Sequence, residues 1–393
     1  MGGKTALRLS VIVGVAFFFL AVSMLITGAV LPRWMELFGL SATRAGRLFS
    51  LYYLPYVVTT FVSGALCDLF GKKPILVASQ LFLALGFFVV SLAEHFSTIE
   101  WGIFLAGIGG GFCEAPLTGL LSQVFPGREG YALNLSQISF GLGAAVGPYL
   151  AGFLLEKNVS FRVLYFVPGV FSVLLFGLLA RERELFAFGN SERFSLRNLR
   201  LLAPWKVLLG ASFLAIFLYV GAEIGSSAWM STYFVRELKQ GLYLGGAAMG
   251  IFWGMMTVGR LIFGILTRRI SYLALLRVAA VLSFLALLGL TITRQVPLAL
   301  SALLVLGFGF APIWPLIVAW VAKHINELQA TAIGLTVASG GLGALFFPWF
   351  MGVVADSFGL RWVFLVALVL VAGLFLMTQS RFFRGDGRGA SWH

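Results

Sequence analysis

The sequence predicts an all-α membrane protein, with twelve transmembrane helices arranged as two pseudo-symmetric six-helix bundles. Three observations carry that expectation. Apolar runs of about 20 residues, the length that crosses a hydrocarbon core, recur nearly end to end. Only 11% of the 393 residues are charged and 60% are hydrophobic. Soluble domains carry about 25% charged residues, so a water-soluble fold of this chain would lack polar residues to cover its surface. Glycine and proline positions also repeat at one offset of 200 residues: Gly107 and Gly109 with Gly307 and Gly309, Gly64 with Gly264, and Gly143, Pro148 and Gly152 with Gly343, Pro348 and Gly352. A single offset held across separate runs marks duplicated halves.

The elements follow in order. The first run, 9–31, comes after Lys4 and Arg8. It is longer than the 7–15-residue apolar core of a signal peptide and has no clean small-residue cleavage site, so it reads as an uncleaved first helix. Five more spans are expected near 46–67, 74–93, 101–124, 132–155 and 162–180, closing an N-terminal bundle over 1–180. The longest connection, 181–205, is dense in Arg and Glu and holds Asn190, Ser191 and Pro204, which reads as a cytoplasmic linker. A second bundle over 206–380 is expected from spans near 206–234, 244–266, 272–292, 297–321, 329–354 and 361–380, followed by a cytoplasmic tail at 381–393. The prolines Pro116, Pro148, Pro312, Pro315 and Pro348 fall inside spans and read as bends or packing features.

The formal net charge of +13 has a topological explanation. With the N-terminus cytoplasmic, 19 of the 28 Lys and Arg fall on inner ends and loops, Lys72, Lys73, Arg268 and Arg269 among them, and 9 fall outside. That is the positive-inside asymmetry. It places both termini in the cytoplasm and the chain in the cell (inner) membrane, and it leaves no soluble basic face for nucleic acid. Cys67 and Cys113 lie in apolar helices, the three histidines are scattered, and no metal or cofactor motif, nucleotide-binding loop or catalytic triad is present. The chain is expected not to be an enzyme.

Of fifteen acids, two fall deep inside apolar runs: Glu114 on span four and Glu223 on span seven. A charge at such depth costs roughly 3 kcal/mol on insertion scales, and it persists chiefly where it faces a protein-lined cavity. Each acid reads as a proton-coupling group or as a protonated carboxyl hydrogen-bonded between helices. A sugar-like substrate needs groups that bond hydroxyls and aromatic faces that stack on C–H surfaces. Asn134, Gln137 and the two glutamates suit the first role. Tyr52, Tyr53, Tyr219, Trp229, Trp253 and Trp314 suit the second, although each aromatic also reads as packing or an interface residue. Trp314 occupies the repeat position of Glu114.

After span two, Gly64-Ala-Leu-Cys-Asp68-Leu-Phe-Gly71-Lys72-Lys73 resembles the G-x-x-x-D-x-x-G-[RK]-[RK] loop of the major facilitator superfamily. The resemblance implies the two-bundle fold, and a conformational or gating role for Gly64, Asp68, Gly71, Lys72 and Lys73, to which Arg260 on span eight is added. The second copy is degenerate, with Arg268 where Asp68 would fall. Glu114 in Gly111-Phe-Cys-Glu-Ala-Pro116 and the segment Leu133-Asn134-Leu-Ser-Gln137 are similar to parts of fucose permease-type sugar/proton symporters. Tyr219-Val-Gly-Ala-Glu223 is similar to a segment of related hexose transporters. An acid expected on the first helix of that group is missing from Thr27–Pro32. A competing run, Gly143-Ala-Ala-Val-Gly147-Pro148-Tyr-Leu-Ala151-Gly152, is similar to one associated with drug/proton antiporters. These resemblances imply a monomeric secondary transporter working by alternating access, its partners a small-molecule substrate, protons and the lipid bilayer. Proton-coupled sugar symport and drug or amphiphile efflux are the two readings, beside a third in which the chain does not transport.

Overall fold

The computed structural model describes residues 3–125, 129–182, 202–325 and 329–379. Their regular structure is helical throughout: α1 (Gly3–Leu37), α2 (Ala42–Phe70), α3 (Lys72–Ser91), α4 (Phe96–Val124), α5 (Glu129–Glu156), α6 (Phe161–Arg181), α7 (Lys206–Thr232), α8 (Leu242–Leu266), α9 (Tyr272–Ile292), α10 (Val296–Phe310), α11 (Ile313–His324), α12 (Gln329–Phe358) and α13 (Trp362–Gln379). Twelve helical segments are long and apolar enough to cross a membrane, with α10 and α11 together making one. This is a multi-pass membrane protein.

The helices depart from the expected spans where tertiary contacts outweigh local signals. Span one was expected to stop before Pro32, yet α1 continues to Leu37. Trp34 in that last stretch is fully buried and stacks on Tyr165 at 5.5 Å, which holds the turn in place. Span ten is interrupted between Phe310 and Ile313, where Pro312 withholds a backbone donor. α7 leads into a π-helical turn at Tyr233–Glu237.

In the first half α3 packs on α4 and α6, α2 on α4, and α1 on α5. In the second half α9 packs on α10 and α13, α8 on α10, and α7 on α12. The duplication extends to single contacts. A Cβ added at Gly107 would lie 2.2 Å from the Tyr52 carbonyl, and one at Gly307 would lie 2.3 Å from the Phe252 carbonyl, the same contact 200 residues on. Gly109 meets Leu83 and Ser79 as Gly309 meets Ser283 and Ala279. Without a hydrophobic drive between helices in lipid, such close approach is what binds them. Gly107→Val and Gly307→Val should therefore each destabilise by about 1–3 kcal/mol through overpacking, read as a lower melting temperature in detergent. Gly264→Val, at a glycine with nothing within 4 Å, should leave that temperature unchanged.

The halves meet along α2–α12, α5–α8 and α1–α7. Added Cβ atoms place Gly46 2.8 Å from the Pro348 carbonyl and Gly246 2.4 Å from the Pro148 carbonyl, while Gly352 and Gly152 press on the Ala42 and Leu242 carbonyls, each at 2.6 Å. Among the described residues, the close glycine contacts between halves lie between the turns at 38–41 and 238–241 and the level of Val57 and Gly141. The molecule is thus sealed toward those turns. Toward the face bearing the chain ends, Gly64 and Gly264 meet nothing within 4 Å. Gly64, expected to have a conformational or gating role, makes no close helix contact in this state.

Candidate functional site

Glu114 and Glu223 both sit at mid-depth, one on each half. Glu114 is brought to its partner by the glycines before it. A Cβ at Gly110 would fall 2.6 Å from the Tyr52 hydroxyl, and one at Gly111 would fall 2.3 Å from the Tyr56 carbonyl. These glycines let α4 lie directly on α2. Tyr56 then donates its hydroxyl to Glu114 Oε2. Tyr52, Tyr53 and Tyr56 form one aromatic group, with Tyr52 and Tyr56 stacked at 5.9 Å and Tyr53 edge-on to each. Glu114 itself is half-buried. Tyr53 is buried and its hydroxyl has no hydrogen-bond partner.

Glu223 is buried on α7, one turn after Tyr219. The Tyr219 phenol donates to the Phe310 carbonyl at 3.0 Å, and the Glu223 carboxyl and the Arg260 guanidinium of α8 both lie near it. Arg260 Nη1 donates to Gln137 Oε1 of α5 at 2.7 Å, and its Nε is buried without a partner. A polar line of Glu223, Tyr219, Arg260 and Gln137 therefore crosses from one half to the other. Beside it, Trp253 donates its indole N–H to Ser227 Oγ at 2.9 Å and sets its edge against Phe140 of α5. This arrangement offers hydroxyl-bonding groups, two carboxyls and one cation whose mutual charge balance changes when a proton is gained or lost.

Sequence reasoning paired residues that the structure separates. Trp229 is fully buried, donates to the Pro348 carbonyl at 2.9 Å, and packs against Gly46 and Gly352 in the α2–α12 seam, so it lines no open space here. Trp314 is half-buried just after the α10–α11 break. Asn134 falls on α5, but its side chain lies outside the described residues. Arg260, expected with the gating loop, instead joins the Glu223 line. In that loop Gly71 has φ +85°, a conformation that favours glycine. Lys72 and Lys73 are buried, Lys72 Nζ donates to the Gly119 carbonyl at 3.3 Å, and Asp68 is half-buried. Tyr56 was missed by sequence reasoning; the available signal was its place one helical turn from Tyr52 and Tyr53. Among the described residues no group of His, Cys, Asp and Glu could hold a metal ion.

The family profile for the Major Facilitator Superfamily matches residues 12–337. The chain is 24% identical over 366 residues to the glucose/mannose transporter GlcP of Bacillus subtilis, covering 88% of each. It is 22% identical over 338 residues to the quinolone resistance protein NorA of Staphylococcus aureus, covering 83% of this chain and 84% of that one. Its fold is similar to that of a bacterial homologue of the human lysosomal transporter Spinster, solved inward-facing and unoccupied, with a TM-score of 0.80, 13% identity and coverage of 100% of both chains.

Proposed function

This chain belongs to the Major Facilitator Superfamily, and we propose that it is a proton-coupled secondary transporter of a small polar solute, a sugar in the first instance. The observation that carries this reading is the pair Glu114 and Glu223, one acid at mid-depth on each half, with the buried, unpartnered Tyr53 phenol one turn from Tyr56, the partner of Glu114. A carrier that couples protons to a solute needs a titratable group in contact with the solute's path, on elements that move relative to one another. Gln137, Arg260 and Tyr53 supply the hydrogen-bonding variety that a polyol demands, and the GlcP similarity supports a hexose-like ligand. In the cycle we propose, the halves rock about the bound solute, and a proton on one acid permits the reorientation that the charged form resists. The charge asymmetry of the loops supports an inner-membrane location with both termini cytoplasmic. The sealed face is then external, and this state opens inward. One chain holds both halves, which supports a working monomer.

A second reading, efflux of drugs or amphiphiles against protons, is favoured by the NorA similarity and by the Gly143–Gly152 run. That run also has a packing role here. Gly143 lies on α1, and Pro148 and Gly152 lie on Gly246 of α8, contacts that any carrier of this shape requires.

The test is proton flux in proteoliposomes under an imposed pH gradient, with a panel of hexoses and of cationic dyes. Hexose-driven proton entry in step with sugar is the expected result. Dye exchange against protons with no sugar movement replaces it with the efflux reading. Proton fluxes indifferent to every solute overturn both.

A further inference from the structure

The sealed face carries two acids that no role above uses, Glu156 and Asp356, and they are repeat mates, 200 residues apart. Glu156 ends α5, Asp356 lies in the last turn of α12, and each reaches into the opposite half. Asp356, on α12, accepts from the Ala42 and Thr43 amides through its two oxygens, both at 2.7 Å. Glu156, on α5, accepts from the Tyr243 amide at 3.2 Å. Ala42 and Thr43 open α2, and Tyr243 is in the first turn of α8.

The first amides of a helix have no partner within it and carry the positive end of its dipole. Most helices cap them from the adjacent chain. α2 does so only in part, as Ser41 Oγ accepts from the Arg44 amide at 3.2 Å and leaves the first two amides to Asp356. α8 has no side-chain cap of its own, because Gly241 stands at its cap position. A Cβ at Gly241 would come within 2.6 Å of Glu156 Oε1, so the glycine makes room for the carboxylate of the other half. The sequence has thus moved the caps of two helices onto the far side of the seam, twice and in the same way.

The geometry points to a paired latch: Asp356 and Glu156 hold the external face closed by capping α2 and α8 across the seam, and both caps are lost when that face opens. Separating the halves leaves two helix N-termini without their carboxylates at once. The cost of opening then includes two capping interactions, which biases the resting protein toward the state described here. The two arms are unequal, Asp356 with two short bonds and Glu156 with one longer one. Both acids lie remote from Glu114 and Glu223 and touch no group assigned to substrate or proton. The inference rests on the reading that the halves rock, and on nothing concerning the solute.

The experiment measures the distance between the halves directly. Spin labels at Leu37→Cys and Phe358→Cys, both exposed on the sealed face, report its opening by pulsed dipolar spectroscopy. The labels are carried in a Cys67→Ser, Cys113→Ala background, without substrate or pH gradient. Losing one cap of about 1 kcal/mol raises the open fraction about five-fold. Glu156→Ala is the informative variant, since it removes the acceptor and touches only the α5–α8 seam while the labels read the other edge of the face. An about five-fold larger long-distance population in Glu156→Ala, and a larger one still on adding Asp356→Ala, is the expected outcome. Gly241→Ala, which crowds the Glu156 carboxylate without removing it, should act in the same direction. An unchanged distance distribution in Glu156→Ala protein of parental melting temperature overturns the latch. Because no transport is measured, a failed sugar screen and a failed latch are separate results.

Discussion

Glu114→Gln should abolish uphill accumulation while leaving solute exchange in place. The amide keeps the size of the carboxyl and still offers an oxygen to the Tyr56 hydroxyl, so the contact between α2 and α4 survives. What it cannot do is bind and release a proton. A gradient of two pH units stores about 2.7 kcal/mol per proton, enough for about 100-fold accumulation of a solute moved with one proton. With the coupling group neutral in both states that ratio should fall to one, while exchange of labelled against unlabelled solute across equal concentrations continues. Tyr56→Phe should be milder. It removes a donor but leaves a titratable acid, so accumulation persists and the pH of half-maximal uptake moves. A Gln variant that still concentrates solute against its gradient would remove Glu114 from proton coupling and leave Glu223 as the candidate.

The parts of this picture legible in the sequence are those that the bilayer or the duplication imposes. Lipid demands about 20 apolar residues per crossing, so the spans are readable one at a time, and the charge of a buried acid is visible against them. The offset of 200 residues is visible because close helix contacts tolerate only glycine, at Gly107 and Gly307 alike. What was not legible depends on which helices face each other. α2 begins at Ala42, four residues before the expected span, because its first amides are bonded by a carboxylate 314 positions away. Trp229 and Trp253 are both buried aromatics on apolar helices, yet one faces the α2–α12 seam and the other a serine and α5. Hydropathy does not distinguish a seam from a cavity. Tyr56 is one more aromatic on an apolar helix until α2 is paired with α4. Arg260 looks like an inner-end basic residue until α8 is paired with α5.

Arg260→Met should slow exchange about 30-fold, and adding Glu223→Gln should recover most of the loss. Arg260 bonds Gln137 of the first half, and its guanidinium lies near Tyr219 and Glu223 of the second. Removing the guanidinium leaves the buried carboxyl without its cation, and neutralising only the carboxyl leaves the cation without its acid. Either change disturbs a charge balance kept out of water, where unpaired groups are costly. If the two act as one unit, their coupling is about 1–2 kcal/mol, a factor of about 5–30. The double variant is then faster than either single one, although it has lost both charges. Gln137→Ala should cost less than Arg260→Met, since it removes one hydrogen bond and leaves the charges in place. Measured exchange rates of the four proteins form a complete cycle. Losses that simply multiply in the double variant would mean that Arg260 acts through Gln137 alone. The proton on Glu223 would then have no path to the contact between the halves, and coupling would have to run through Glu114 by itself.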